Sequence, residues 1–226
     1  MKKPLILLLF TCMVGISFAQ ETKEESKQPV SKEIAAIRIA NNLAKYGYEN
    51  YSALALIEAA QIFATTPTQP LKTESIEKGE PVGKEEKKTE KAEFTPTNLL
   101  ADARKFADGD ATLLALAEQV EKTGKEATTR GRVGGPGIMT AKVSAGGTDT
   151  YAIKFWANEL AEIALSGDGD TDLDLYVYDE NGNLITSDAD YSDDCYVSWV
   201  PKWTGSFIVK VVNRGRVYNN YVIGTN

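Results

Sequence analysis

Apolar positions change period along the chain. From Ser31 to about Ala64, residues Ile34, Ile37, Ile39 and Leu43, then Leu54, Leu56, Ile57, Ala60 and Phe63, recur at three- and four-residue spacing, the period of one helix face. Tyr46-Gly47-Tyr48 interrupts this run, so a helical hairpin is predicted over 31–65. A second is predicted over 96–125, where Thr95 is placed to cap, Pro96 suits the first helical position and Ala107-Asp108-Gly109-Asp110 breaks the run.

At an offset of sixty residues Lys45 falls over Lys105, Tyr46 over Phe106, Leu54-Ala55-Leu56 over Leu114-Ala115-Leu116 and Glu58 over Glu118. This reads as an internal duplication, against the alternative that Ala- and Leu-rich helices align by chance. One hairpin buries little apolar surface, so the two copies are expected to pack as a four-helix unit. Residues 66–95 between them are dominated by Lys and Glu. Apolar residues there are too sparse to offset an ordering entropy of roughly 1–2 kcal/mol per residue, which predicts a disordered tether.

From 133 to 226 the period becomes two. Runs at 138–145, 150–155, 160–165, 173–178, 184–186, 196–200, 207–212 and 218–223 are separated by Gly, Asn, Asp or Pro clusters, predicting an antiparallel sandwich of about eight strands. Trp156, Trp199 and Trp203 supply packing bulk, and Asn181-Gly182 and Asn213-Arg214-Gly215 supply turns. The fold class is therefore α+β in several parts, with helical hairpins first and an all-β sandwich after.

The first nineteen residues change the compartment. Lys2 and Lys3, the apolar run Leu5 to Val14 and Ser17-Phe18-Ala19 form the pattern of a secretory signal peptide over 1–19, followed by a flexible start over 20–30. The run is shorter than the ~20 residues a membrane span needs, and no later stretch qualifies. Cys12 lies inside the apolar core after Thr11, which argues against lipidation. The expected location is the periplasm, the cell surface or the exterior.

Loss of Lys2 and Lys3 would take the net charge from −7 to about −9, which argues against nucleic acid as a partner on electrostatic grounds. The mature chain would keep one cysteine, Cys195, read as a small buried hydrophobe rather than a reactive thiol. The chain has no histidine, which excludes Ser/His and Cys/His nucleophile systems and histidine-based zinc sites.

Residues 167–194 hold ten carboxylates and neither Lys nor Arg. Such charges repel unless spread into water or gathered around a cation. With a two-residue turn at Asn181-Gly182, paired residue numbers sum to about 363. That sets Asp172 near Tyr191, Asp170 near Asp193 and Asp174 near residues 187–190, while Leu173, Leu175 and Val177 share the face opposite Asp172, Asp174, Tyr176 and Tyr178. The candidate metal ligands are Asp168, Asp170, Asp172, Asp174, Asp190, Asp193 and Asp194. An all-oxygen set suits calcium, which takes about six to eight oxygens with tolerant geometry; the alternative is a solvated acidic rim. Asp168-x-Asp170-x-Asp172-x-Asp174 is not an EF-hand loop, since Leu173 stands at its sixth position and Asp179 at its twelfth.

Asp172 to Asp179, Asp193-Asp194-Cys195-Tyr196, Pro201 to Gly205 and Phe207 to Val211 together resemble the bacterial pre-peptidase C-terminal domain, over about 133–226 only. The resemblance implies a jelly-roll-like sandwich on a secreted protein, with roles in export, localisation or substrate binding, and calcium in some collagen-binding relatives. Asp172, Asp174 and Tyr176 match the characteristic strand. No peptidase domain accompanies the sandwich here.

Two function classes follow. The first is an exported noncatalytic binding or scaffolding protein whose sandwich binds calcium and meets a protein or polysaccharide through aromatics such as Tyr176, Tyr178 or Tyr191. The second is a glycosidase-like hydrolase using two carboxylates. The oligomeric state is left open.

Overall fold

Ser31 starts the first helix by accepting the Ile34 N–H on its hydroxyl at 3.2 Å. The computed structural model describes residues 31–84, 86, 93–129 and 135–226. The signal peptide and flexible start expected at 1–30, and parts of the tether, lie outside the described residues.

Among the described residues four helices lie before residue 130: α1 (Lys32–Glu49), α2 (Ala53–Thr65), α3 (Pro96–Phe106) and α4 (Ala111–Thr129), with residues 69–77 between α2 and α3 forming two short strands. Ser52 caps α2 and Thr95 caps α3, with Pro96 at its first position. Ala44, Leu56, Ile57, Ala59, Ala60, Leu99, Leu100, Ala103, Ala117 and Val120 form one helical core, and α2 packs on α1, α3 and α4. Residues 57 and 117, and 60 and 120, occupy equivalent buried positions at the sixty-residue offset.

The break expected at Tyr46-Gly47-Tyr48 is displaced: α1 continues through it to Glu49, and the chain turns at Tyr51, whose φ is +50°. Gly47 serves close approach instead. A Cβ there would stand 2.5 Å from Leu56 Cδ2, so the glycine lets α1 and α2 meet.

Ten strands follow the chain: β1 (Gln69–Pro70), β2 (Ser75–Glu77), β3 (Gly137–Val143), β4 (Thr148–Phe155), β5 (Ala161–Gly167), β6 (Leu173–Tyr178), β7 (Leu184–Asp188), β8 (Asp194–Trp199), β9 (Gly205–Asn213) and β10 (Asn219–Thr225). One sheet runs β1-β3-β10-β5-β8 and the other β2-β4-β9-β6-β7, with only β1 and β3 parallel. The eight runs read between 138 and 223 are β3 to β10. Their inward residues, including Tyr151, Leu165, Leu175, Cys195, Phe207, Val209 and Ile223, make the sandwich core.

The predicted hairpin register is present, with Leu175 opposite Asp188, Tyr176 opposite Ser187 and Val177 opposite Thr186, before a bulge at Tyr178. The turn is wider than two residues. The Asp179 carboxylate accepts the Asn181 and Asn183 N–H groups at 2.9 and 2.8 Å, and of the pair only Gly182 takes positive φ.

The expected tether is corrected over its first part. Residues 69–77 add a short strand to an edge of each sheet, and Glu86 N–H donates to the Arg216 carbonyl at 2.9 Å. Open β-edges offer backbone partners that composition does not reveal.

Helix α1 lies on the outer face of the first sheet, with Ile34, Ile37 and Asn41 against Ala164, Ser166, Val222 and Gly224. These outward residues are small or apolar, so the helix approaches closely. On the second sheet Tyr176 and Tyr178 of β6 and Lys210 of β9 are half-buried.

Candidate functional site

The loops β3–β4, β5–β6, β7–β8 and β9–β10 share one end of the sandwich, as the pairings of Val143 with Asn219, Gly167 with Tyr221, Leu173 with Asn213 and Thr148 with Val212 require. The acidic stretch forms a rim there. Antiparallel pairing of β6 and β7 brings its two halves together, but each carboxylate has its own surroundings.

Asp168 is buried, and its Oδ2 accepts the backbone and side-chain N–H groups of Asn220, both at 3.1 Å. Asp170 is exposed and gives its N–H to Asp168 Oδ1 at 3.3 Å. Asp190 is exposed and accepts the Ser192 hydroxyl at 2.6 Å. Asp174 is buried under Arg214, whose Nε donates at 2.6 Å, and it also accepts the Tyr176 hydroxyl at 2.9 Å.

Helix α1 reaches the same rim. Lys45 Nζ stands 2.9 Å from Asp193 Oδ1, while Asp193 Oδ2 accepts the Gly169 N–H at 2.6 Å. Arg38 stands 3.4 Å from Asp194 Oδ2 and lies over the Tyr196 ring. Arg38 and Lys45 are two helical turns apart and so project from one face. Sequence reasoning misses all three cations; the i, i+7 spacing is the available signal for two of them, and Arg214 reads only as part of a turn.

Like that of Asp194, the Oδ1 of Asp172 is shut from solvent without a hydrogen-bond partner. Burial first, then the charge of Asp174, raises the Asp172 pKa against the pull of Arg214, with Asp190 and Asp193 adding to the rise. Among the described residues no three His, Cys, Asp or Glu side chains are grouped closely enough to hold a metal ion. Asp172 and Asp194 each keep an unused oxygen, while Asp174, Asp193 and Asp194 face the protein cations Arg214, Lys45 and Arg38.

A second polar cluster sits between the sheets. Asp149 is fully buried and accepts the Tyr221 hydroxyl at 2.6 Å, Lys78 Nζ at 2.6 Å and the Gly79 N–H at 3.2 Å. Tyr151 hydrogen-bonds Tyr221 and receives Lys78 Nζ at 3.1 Å. Burial drives the Tyr221 hydroxyl far above the ordinary tyrosine range. Cys195 is buried, donates to the Leu173 carbonyl at 3.0 Å and has its pKa raised chiefly by burial, so it packs as expected.

Aromatic groups mark two surfaces. On the second sheet Tyr176 and Tyr178 stack at 6.3 Å, with Lys210 Nζ 5.2 Å from the Tyr178 ring. At the end opposite the rim, Trp156 is 58% exposed and Trp203 stacks on Phe207 at 5.4 Å. Their loops are tied by Ala157 N–H to Thr204 Oγ1 at 2.9 Å and Asn158 N–H to the Pro201 carbonyl at 2.8 Å. Tyr191 on the rim is fully exposed.

These features define a two-sheet β-sandwich with a helical cover on one face. No protein-family model and no curated protein sequence matches the chain. In fold the sandwich is similar to the pre-peptidase C-terminal domain of collagenase from Bacillus anthracis, at 12% identity over 42% of this chain and 91% of that one, with a TM-score of 0.35. It is also similar to the Yersinia pseudotuberculosis-derived mitogen, at 16% identity over 42% and 86%, TM-score 0.33. A carbohydrate-binding module from Cellvibrio mixtus lichenase 5A, solved with cellotriose, gives 14% identity over 41% and 86%, TM-score 0.25.

Proposed function

We propose that the protein is an exported, noncatalytic binding protein that takes a protein or polysaccharide ligand outside the cytoplasm on its sandwich. The observation that carries this reading is the second sheet's aromatic cluster, where stacked, half-buried Tyr176 and Tyr178 stand beside Lys210 while α1 lies on the other sheet. Flat aromatic rings offer contact area at little entropic cost, and a cation beside them orients a polar ligand. Export rests on the pattern of residues 1–19. Among the described residues, no helix is long and apolar enough to cross a membrane.

The hydrolase alternative needs two carboxylates in a cavity that admits a sugar. A cavity that joins two, Glu93 and Asp168, holds about 10 Å3, roughly one water. Calcium enters the proposal in a narrower form. Asp172 is its centre, and Asp174 and Asp193 join only by giving up Arg214 and Lys45.

Affinity electrophoresis in gels containing soluble xylan, mannan or mixed-linkage β-glucan tests the polysaccharide arm, and binding to immobilised collagen tests the protein arm. Retardation or capture lost in Tyr176→Ala plus Tyr178→Ala supports the sheet face. Binding unchanged in that variant removes this face from the proposal.

A further inference from the structure

A cavity of about 450 Å3 lies among α2, α3 and α4. Phe63, Leu100 and Val120 supply its apolar wall, and Ala64, Ala101 and Pro96 leave it room. The helices are unequal: α3 has 11 residues and begins at Pro96, while α4 has 19 and runs on past it. Among the described residues, three helices of such different length leave their open end unfilled, and the helical core formed by Leu56, Leu99 and Ala103 lies deeper. Its volume falls within the roughly 300–1,000 Å3 typical of small-molecule sites.

The mouth is positively biased. Arg104 and Lys125 stand 2.5 and 2.8 Å from Glu121, so the lining holds two cations against one carboxylate. The first turn of α3, Pro96 and Thr97, borders the same cavity and adds the positive end of the helix dipole. This runs against the charge of the whole chain, which is −7. An apolar wall beneath a cationic mouth complements a molecule with an aliphatic tail and an anionic head.

We propose that this cavity binds a linear amphiphile with an anionic head, of the medium-chain carboxylate type. The tail lies against Phe63, Leu100 and Val120, and the carboxylate meets Arg104 and Lys125. The site is separate from the acidic rim and from the aromatic sheet face, and calcium plays no part in it.

The test uses the full chain with 1-anilinonaphthalene-8-sulfonate as a fluorescent probe, displaced by decanoate below its micelle concentration and, in parallel, by decanol. Decanoate should displace the probe with an affinity at least tenfold above that of decanol. Ala101→Trp, which fills the cavity from an exposed helix position, should weaken decanoate at least tenfold. Arg104→Gln plus Lys125→Gln should remove the preference for decanoate while leaving decanol unchanged. Amide chemical-shift changes in the wild-type chain on adding decanoate should cluster at residues 63, 100 and 120, a readout that needs no variant to fold. Shifts elsewhere, equal affinities for acid and alcohol, or full decanoate affinity in folded Ala101→Trp would each overturn the proposal.

Discussion

Lys78 sets its ammonium group 2.6 Å from the carboxylate of Asp149, so a residue from the segment expected to be a tether neutralises a charge buried within the sandwich. Asp149 is accommodated in the core because Tyr221, Gly79 and Lys78 together satisfy it. Breaking a buried pair from one side leaves an uncompensated charge, at roughly 3–5 kcal/mol where both partners are buried. Lys78 is half-exposed, which reduces that figure.

Lys78→Met is expected to lower unfolding free energy by about 2–3 kcal/mol in urea, and a fragment starting at residue 133 should be less stable than one starting at 66. A loss under about 1 kcal/mol at unchanged m would mean that water replaces the ammonium group.

Alkaline pH should unfold the chain through the same cluster. Burial alone would lower the Lys78 pKa, but its hydrogen bonds to Asp149 and Tyr151 outweigh it and raise the value. Burial also raises Tyr151 and Tyr221 in this cluster, and outside it burial and Glu162 push Tyr196 up to about 12. For each group the native state holds the proton more tightly. The stabilisation is therefore complete below the ordinary value near 10 and is lost as pH rises through the folded one. Thermal midpoints should fall steeply above pH 10, and less steeply in Lys78→Met; parallel curves would contradict the assignment.

Asp172 carries the opposite lesson at neutral pH. With its pKa raised by burial and by Asp174, its contribution is favourable only below the ordinary carboxylate range and turns unfavourable as pH rises. In chelator, Asp172→Asn is expected to raise the thermal midpoint. With millimolar calcium the wild-type chain should gain about 2.7 kcal/mol if calcium stands at a hundredfold its dissociation constant, and the variant should gain nothing. Magnesium acting equally, or no shift at all, would leave the rim as solvated carboxylates.

The helical cover depends on Lys45 and Arg38. Lys45→Met together with Arg38→Met should cost about 1–2 kcal/mol, more than exposed pairs because Lys45 and Asp193 are largely buried. Asn41 beside them is buried with both side-chain polar atoms unpartnered, which weakens the dock further. Hydrogen exchange over residues 34–44 reads the release, and undiminished protection would show that Ile34 and Ile37 suffice.

Much of the architecture is legible in the order of residues. The strands from Gly137 to Thr225 announce themselves because two-residue alternation and Gly, Asn or Asp turns are local properties. The register of β6 with β7 follows from the turn at Asn181-Gly182, and the bulge at Tyr178 does not, because it depends on how Asp179 gathers the turn's N–H groups. The helix break expected at Gly47 falls later for a tertiary reason: the missing Cβ makes room for Leu56. The tether expected over 69–77 pairs instead, since edge strands gain their energy from backbone bonds to a sheet that composition cannot reveal.

Local pattern, then, determined the two helical hairpins, the eight core strands, the inward and outward faces of β6 and the gathering of carboxylates at one rim, because periodicity and like-charge density are properties of neighbours in the chain. Tertiary structure alone decided which cation answers each carboxylate. Lys45 meets Asp193 across 148 positions of sequence and Lys78 meets Asp149 across 71, and Coulombic pairing depends on distance in space, which only the packed chain supplies.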